Sequence, residues 1–106
     1  MTDLNKYKTF GEHLRILREK QRFTLKEVAT NIRIDISLLA KIERNERQPN
    51  KPLIKKISDF FKIDEKELLN EYLSDQIAYK ILDEDADLNI LKVAENKIKY
   101  GITKQK

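Results

Sequence analysis

Apolar side chains recur along this chain at intervals of three and four residues, the spacing of helices that bury one face. Five such stripes occur before residue 70, and no segment shows the alternation of a half-buried strand. The pattern predicts an all-α fold in which five short helices form one compact domain. The residues that define the stripes are Phe10, Leu14 and Leu17; Val28, Ala29 and Ile32; Leu38, Leu39 and Ile42; Leu53, Ile54, Ile57, Phe60 and Phe61; and Leu68 and Leu69.

Capping signals indicate where the second and third helices begin and end. Thr24 is a good N-cap, and Glu27 three residues later completes a capping box. Asp35 is the N-cap candidate for the third helix, which we predict over residues 36–44. Asn45 is its expected stop, because Asn tolerates the left-handed conformation best after Gly. Two short helices joined by a tight turn are therefore predicted here.

The fourth and fifth helices have start signals of their own. Pro52 suits the first turn of a helix that Asn50 or Lys51 caps. Asp64 with Glu67 makes a second capping box, which opens the fifth helix.

A further amphipathic stretch follows residue 70. Its stripe is interrupted at residues 83–85, where acidic side chains break the apolar pattern, and Gly101 is its expected end. We therefore divide the chain into a domain over residues 1–70 and a C-terminal helical extension over residues 71–106. The extension should pack on its own domain or on a second copy of the chain. Its stripe consists of Tyr72, Leu73, Ile77, Ile81, Leu88, Leu91, Ala94 and Ile98.

Charge is unevenly distributed along the 106 residues. The net charge is +4, with 16 basic and 11 acidic side chains up to residue 70, and 6 basic and 7 acidic side chains beyond it. The positive excess is densest between Arg44 and Lys56, where the only acidic residue is Glu46. Such a cluster is typical of a surface that meets phosphate, although a solvated charged face explains the charge equally well.

Composition argues against several other classes of protein. Without Cys, the chain has no disulfide framework and no thiolate ligand or nucleophile. His13 is its only histidine, it has no Asp partner in suggestive spacing, and no Gly-rich phosphate loop occurs. We therefore expect no enzyme activity, no cofactor and no metal site. No segment is apolar enough to span a bilayer, and residues 1–10 lack the apolar stretch of a secretory signal, so we expect a cytoplasmic protein.

Three segments carry a resemblance to a known family. They are FGEHLRILREKQRFTLKEVA, IRIDISLLAKIERNERQP and LIKKISDFFKIDEKELL, in this order between Phe10 and Leu69. On these segments the chain resembles the lambda-repressor-like, or Xre-type, helix-turn-helix domain. The resemblance implies a five-helix bundle, here with an extra C-terminal extension, and a helix-turn-helix over residues 24–45. Members of the family are mostly sequence-specific transcriptional regulators that bind DNA as dimers.

The resemblance also assigns roles to residues. Arg18 and Glu43 correspond to a buried ion pair that ties the first helix to the recognition helix. Lys41 could donate to guanine O6 and N7, whereas Ile36 could meet a thymine methyl group or pack in the core instead. The groove-facing positions are Ile36, Ser37, Ala40 and Lys41, and the candidates for phosphate contacts are Thr24, Lys26, Arg44, Arg47 and Lys51. Arg33 is a further candidate for a contact with DNA.

Three positions depart from the family pattern. Leu25 stands where the family often has a Gln that contacts phosphate, which makes Lys26 the expected substitute. Arg33 stands where the family prefers Gly, so the turn has either an uncommon positive φ or a different shape. Asn45 replaces another Gly of the family, and after Gly it is the residue that adopts a left-handed conformation at the lowest cost.

These features predict a transcriptional regulator that binds an operator of two-fold symmetry in double-stranded DNA. We expect a homodimer joined by the extension, because two half-sites a helical turn apart require a two-fold protein. A regulator of a mobile element or of a restriction–modification system fits the size and the tail. The alternatives are an antitoxin that binds DNA and a toxin, and a protein-interaction adaptor that uses the same bundle without DNA.

Overall fold

The computed structural model describes residues 9–101, and all regular structure in this range is helical. The predicted all-α class is therefore confirmed for these residues. Residues 1–8 and 102–106, at the two ends of the predicted domain and extension, lie outside the described range. The helices are α1 (Phe10–Lys20), α2 (Leu25–Ile32), α3 (Ile36–Glu43), α4 (Lys51–Phe61), α5 (Glu65–Asp83) and α6 (Asn89–Tyr100).

The fifth helix continues past the position where the sequence pattern divides the chain. α5 contains neither Gly nor Pro and runs without a break through residue 70 to Asp83. The contacts of the chain form two units, of which the first ends at Asp75 and the second begins at Gln76. The division at residue 70 thus falls inside α5 and before the end of the first unit. None of the helices described between residues 9 and 101 is both long and apolar enough to cross a membrane.

The helix starts follow from local hydrogen bonds. The predicted capping box of α2 is confirmed, because Thr24 Oγ1 accepts from the Glu27 amide at 3.0 Å and the Glu27 carboxylate accepts from the Thr24 amide at 2.8 Å. Asn50 caps α4 by accepting from the Leu53 amide at 2.9 Å. Asp35 occupies the N-cap of α3, but within residues 9–101 its carboxylate accepts no capping hydrogen bond.

The predicted capping box of the fifth helix is wrong in detail. Asp64 accepts from the Lys66 amide at 3.2 Å, one residue before the Glu67 amide that a capping box uses. The bond closes a shorter turn around the same helix start.

The core of the first unit is formed by the stripes that the sequence predicts. Phe61 of the core packs with the half-buried Phe23 and Phe60, with ring centroids 4.9 to 6.4 Å apart. Fully burying a side chain such as Leu, Ile or Phe contributes about 1.5–3 kcal/mol, so these stripes supply the main stabilisation of the unit. The buried apolar residues are Phe10, Leu14, Val28, Ala29, Ile32, Leu39, Ile42, Leu53, Ile54, Ile57, Phe61 and Leu68.

A close approach and an ion pair fix α1 against the end of α3. Gly11 is buried, and a Cβ atom at this position would lie 2.1 Å from the carbonyl oxygen of Ile42, so only Gly allows this approach. Arg18 Nε lies 2.7 Å from Glu43 Oε2, and Nη2 lies 3.0 Å from Oε1. The third guanidinium nitrogen, Nη1, donates to the carbonyl oxygen of Phe23 at 2.9 Å. The structure thus brings together the two residues that the family resemblance pairs.

The Arg18–Glu43 pair is largely removed from water. The side chains are 13% and 5% exposed, respectively. The hydrogen bond with Glu43 raises the pKa of Arg18 above its usual value, against the opposing effect of burial. Two charges in this setting depend on each other, because either one alone would be buried without compensation.

Two carboxylates of α5 hold the first turn of α1. Asp75 Oδ2 accepts from the amide of Phe10 at 2.8 Å, and Glu71 contacts His13 Nδ1. Burial raises the pKa of Asp75, the amide of Phe10 lowers it, and the nearby charge of Glu71 raises it, with a net shift upwards. The part of α5 beyond residue 70 therefore helps to position α1.

Replacing Arg18 with Ala should destabilise the first unit strongly. Glu43 would remain buried without a partner, which typically costs about 3–5 kcal/mol in the free energy of unfolding. Arg15→Ala is the matched control, because the Arg15–Glu19 pair on the same helix is 61% and 52% exposed. Loss of an exposed pair typically costs about 0–1 kcal/mol. Urea denaturation of both variants measures the difference, and equal losses would contradict a structural role for the buried pair.

Replacing Asp75 with Asn should remove a pH dependence of stability. The raised pKa means that folded Asp75 holds its proton more tightly than unfolded Asp75. Its contribution to stability is therefore complete below the unfolded pKa and is lost as the pH rises through the folded pKa. The amide side chain of the variant cannot ionise, yet its oxygen can still accept from Phe10.

We therefore expect Asp75→Asn to be at least as stable as the wild type at pH 7, with a smaller advantage at pH 4. Asp75→Ala should be less stable than Asp75→Asn at both values, because it leaves the buried Phe10 amide unpaired. Thermal denaturation of the three proteins tests this. An Asn variant as unstable as the Ala variant at pH 7 would contradict the assignment.

Candidate nucleic-acid interface

The turn between α2 and α3 has the left-handed geometry that the sequence offers as one alternative. Arg33 has φ 60° and ψ 52°, and its side chain is exposed. The amide of Ile34 donates to the carbonyl oxygen of Ala29 at 3.0 Å, which closes the end of α2. A left-handed residue other than Gly costs about 1–2 kcal/mol, so this turn is mildly strained.

α3 buries one side and exposes the other. Leu39, Ile42 and Glu43 are buried, whereas Ser37 and Lys41 are exposed. Ile36 is 49% exposed, which favours the groove-facing interpretation over packing in the core. Of the four predicted reading positions only Ala40 is half-buried, and its methyl group reaches the surface only in part.

The end of α3 differs slightly from the prediction. The helix ends at Glu43, and Arg44 is its C-cap rather than its last residue. Asn45 has φ 64°, as its left-handed preference predicts. The amide of Glu46 then donates to the carbonyl oxygen of Lys41 at 2.8 Å, so the chain turns back against the last turn of α3.

The phosphate candidates lie at both ends of the helix pair. Thr24 and Lys26 are exposed at the start of α2, and Arg47 and Lys51 are exposed beyond α3. The Thr24 amide is already bonded to the carboxylate of Glu27. The start of α2 therefore offers a phosphate the Thr24 hydroxyl and the Lys26 ammonium rather than the Thr24 amide.

Arg44 is engaged by a neighbour within the chain. Its Nε lies 2.9 Å from Glu46 Oε2, and its Nη2 lies 3.2 Å from Oε1. Hydrogen bonding to Glu46 raises the pKa of Arg44, and hydrogen bonding to Arg44 lowers the pKa of Glu46, which the charge of Lys41 lowers further. A carboxylate held by two parallel N–H groups occupies the same fork that a phosphate would use.

This pair and one other reduce the effective charge of the basic cluster. Lys55 lies 3.7 Å from a carboxylate oxygen of Asp59 and 3.8 Å from one of Glu65, so its charge is shared with two acids. The spacing of Lys55 and Asp59, four residues apart on α4, is the one sequence signal for these pairs. The Arg44–Glu46 contact spans only two residues outside a helix, which is not a spacing that predicts an ion pair, and the Lys55–Glu65 contact joins two helices.

The structure places the last residue of the predicted basic cluster beside the turn of the helix pair. Lys56 lines a shallow cleft together with Arg33, beside Asn31 and Asp59. Because this cleft adjoins the turn before α3, Lys56 extends the positive surface next to Arg33. Between residues 9 and 101, no group of three His, Asp or Glu side chains is arranged to hold a metal ion.

The residues predicted for dimerisation fall into two groups. Tyr72 is half-buried against the core of the first unit, and Leu73 is 40% exposed on the same helix. In the second unit no residue of α6, from Asn89 to Tyr100, is buried. The exposed or half-buried members there are Ile77, Ile81, Leu88, Leu91, Ala94 and Ile98.

Comparisons with known proteins agree with this geometry. No curated protein matches the chain. Among solved structures, the clp gene regulator ClgR from Corynebacterium glutamicum is similar in fold, with a TM-score of 0.54 and 20% sequence identity over 88% of this chain and 92% of that chain. A family model described as a helix-turn-helix domain matches residues 11–74, which is more than half of the chain. The chain therefore belongs to the helix-turn-helix domain family.

Proposed function

We propose that this protein is a sequence-specific transcriptional regulator that places α3 in the major groove of double-stranded DNA. The observation that carries the proposal is the geometry of α3. One side is anchored by Leu39, Ile42 and the buried Glu43, and the other side exposes Ile36, Ser37 and Lys41. The fold similarity to ClgR, a gene regulator, supports the proposal.

Direct base readout from this surface rests on few groups. Lys41 can donate to guanine O6 and N7, Ser37 can donate or accept, and Ile36 can contact a thymine methyl group. A good pairing of this kind contributes about 1–3 kcal/mol of discrimination, and Lys41 is the one long cation on the exposed side of α3. Sequence-dependent shape of the DNA then supplies part of the specificity.

Phosphate contacts would flank this reading surface on both sides. Thr24, Lys26 and Arg33 lie at the ends of α2, and Arg47 and Lys51 follow α3. Such contacts fix the register of the protein on the duplex but carry no sequence information. Arg44 joins them only when a phosphate displaces Glu46 from its guanidinium group.

The regulator is proposed to act as a homodimer on an operator of two half-sites. Two copies related by a two-fold axis would place their α3 helices in successive major grooves on one side of the duplex. The uncovered apolar residues of the second unit supply a surface for this association.

The salt dependence of binding to DNA distinguishes this function from that of an adaptor that binds only proteins. DNA binding releases about 0.9 counterions per phosphate contact, so affinity falls steeply with salt concentration. We expect wild-type binding to a duplex of random sequence to show such a decrease in fluorescence anisotropy titrations. Binding that is absent, or that does not respond to salt, would contradict the proposed function.

Replacing Glu46 with Gln should strengthen binding to random duplex and steepen its salt dependence. The substitution frees the guanidinium group of Arg44 for a phosphate. The slope of the logarithm of affinity against the logarithm of salt concentration should therefore increase in magnitude by about 0.9. Glu19→Gln is the matched control, because it makes the same charge change at an exposed Arg–Glu pair, with Arg15, on α1. Equal effects of the two substitutions would show that Glu46 acts only through net charge.

A further inference from the structure

α6 carries an apolar face along one side of the helix. Ile90, Ala94 and Ile98 follow one another at four-residue intervals, and Leu91 and Val93 flank them. The large members of this face are between 45% and 70% exposed. Residues of the opposite face include Lys92, Glu95, Asn96 and Lys99. A helix of 12 residues is marginal in water by itself, and packing of such an apolar face supplies most of its stability.

The centre of this face coincides with the middle of the helix. Ala94 lies midway between Asn89 and Tyr100, with Ile90 and Ile98 one turn away on either side. The small side chain of Ala94 lets a second helix approach closely at this point. A second α6 that crosses there meets the same sequence of large, small and large residues, so the face is complementary to itself.

The distribution of charge distinguishes the two possible directions of such a pair. The segment between α5 and α6 is an acidic turn with Glu84, Asp85 and Asp87, whereas the last turn of α6 carries Lys97. Parallel helices would place like charges side by side at both ends. Antiparallel helices place Lys97 of one copy near the acidic turn of the other, and they also oppose the two helix dipoles.

We infer that α6 pairs with α6 of a second copy in the antiparallel direction, with Ala94 facing Ala94 across a two-fold axis. In this register Ile90 of each copy lies beside Ile98 of the other. The inference rests on the proposed homodimer and specifies the surface and the direction by which it forms.

The pair is expected to be of modest size. A helix of 12 residues is about 18 Å long. One face of so short a helix offers less area than the roughly 800 Å² per partner of a standard interface. The exposed Leu82 and Leu88, on either side of the acidic turn, extend the apolar surface of this unit. We therefore expect the dimer to dissociate on dilution.

Single cysteines test the direction of the pair, because the natural chain has none. In the antiparallel register, residues 90 of the two copies lie about 12 Å apart along the helix axis, since eight residues rise by about 1.5 Å each. This exceeds the Cα separation of about 7 Å that a disulfide can bridge. A disulfide should therefore form between Ile90→Cys on one chain and Ile98→Cys on another, but not within either variant alone.

The experiment oxidises full-length Ile90→Cys, Ile98→Cys, and a mixture of the two in which one variant carries an affinity tag. Ala94→Cys should form a disulfide-linked dimer alone, and Lys92→Cys, on the opposite face, gives the background level. Efficient linkage in the mixture and in Ala94→Cys alone supports the inference. Self-linkage of Ile90→Cys and of Ile98→Cys would show a parallel pair and overturn it, as would linkage no greater than that of Lys92→Cys.

DNA binding of the reduced proteins separates this inference from the proposed function. If salt-dependent duplex binding persists while no α6 cross-link forms, the pairing is overturned and the proposed function stands. If the predicted cross-links form but the wild type binds no duplex, the pairing stands and the proposed function fails. Circular dichroism of each variant verifies that the helices are intact.

Discussion

The bidentate contact between Arg18 and Glu43 is the interaction on which the proposed reading surface depends. It ties the C-terminal half of α1 to the last residue of α3, and the close approach at Gly11 brings the same two helices together. α1 is itself held at its first turn by Asp75 of α5. The orientation of α3 is therefore set by a chain of contacts that runs from α5 through α1, at sites far from the exposed side that would meet DNA.

The surface around α3 is less positive than the number of cations indicates. Arg44 is held by Glu46, and Lys55 is shared between two acids, whereas Lys41 and Lys51 are exposed. Partial neutralisation lowers the attraction to phosphate at any DNA sequence, so it weakens non-specific and specific binding alike. The difference between the two affinities, on which specificity depends, therefore rests on the exposed side of α3, where Lys41 is the strongest donor.

Much of this structure could be predicted because the signals are local. The capping box at Thr24, the positive φ of Asn45 and the apolar stripes each depend on residues a few positions apart, and the chain forms them as expected. The role of Asp75 could not be predicted, since it bonds to an amide 65 residues away. The bidentate contact between Arg44 and Glu46 could not be predicted from the sequence, because it depends on the path of the chain after α3. The packing partner of α5 beyond residue 70 could not be predicted, because its apolar stripe fits packing on either the same chain or another.

Selection of bound duplexes from a random pool tests the central claim most directly, when it is carried out with the wild type and with Lys41→Ala. The account predicts a two-fold symmetric consensus for the wild type, with half-sites one helical turn or a multiple of it apart. For Lys41→Ala, which is exposed and leaves the core intact, it predicts relaxed preference at one position in each half-site. A wild-type pool without any consensus, or an identical consensus for both proteins, would contradict the account of α3 as the reading element.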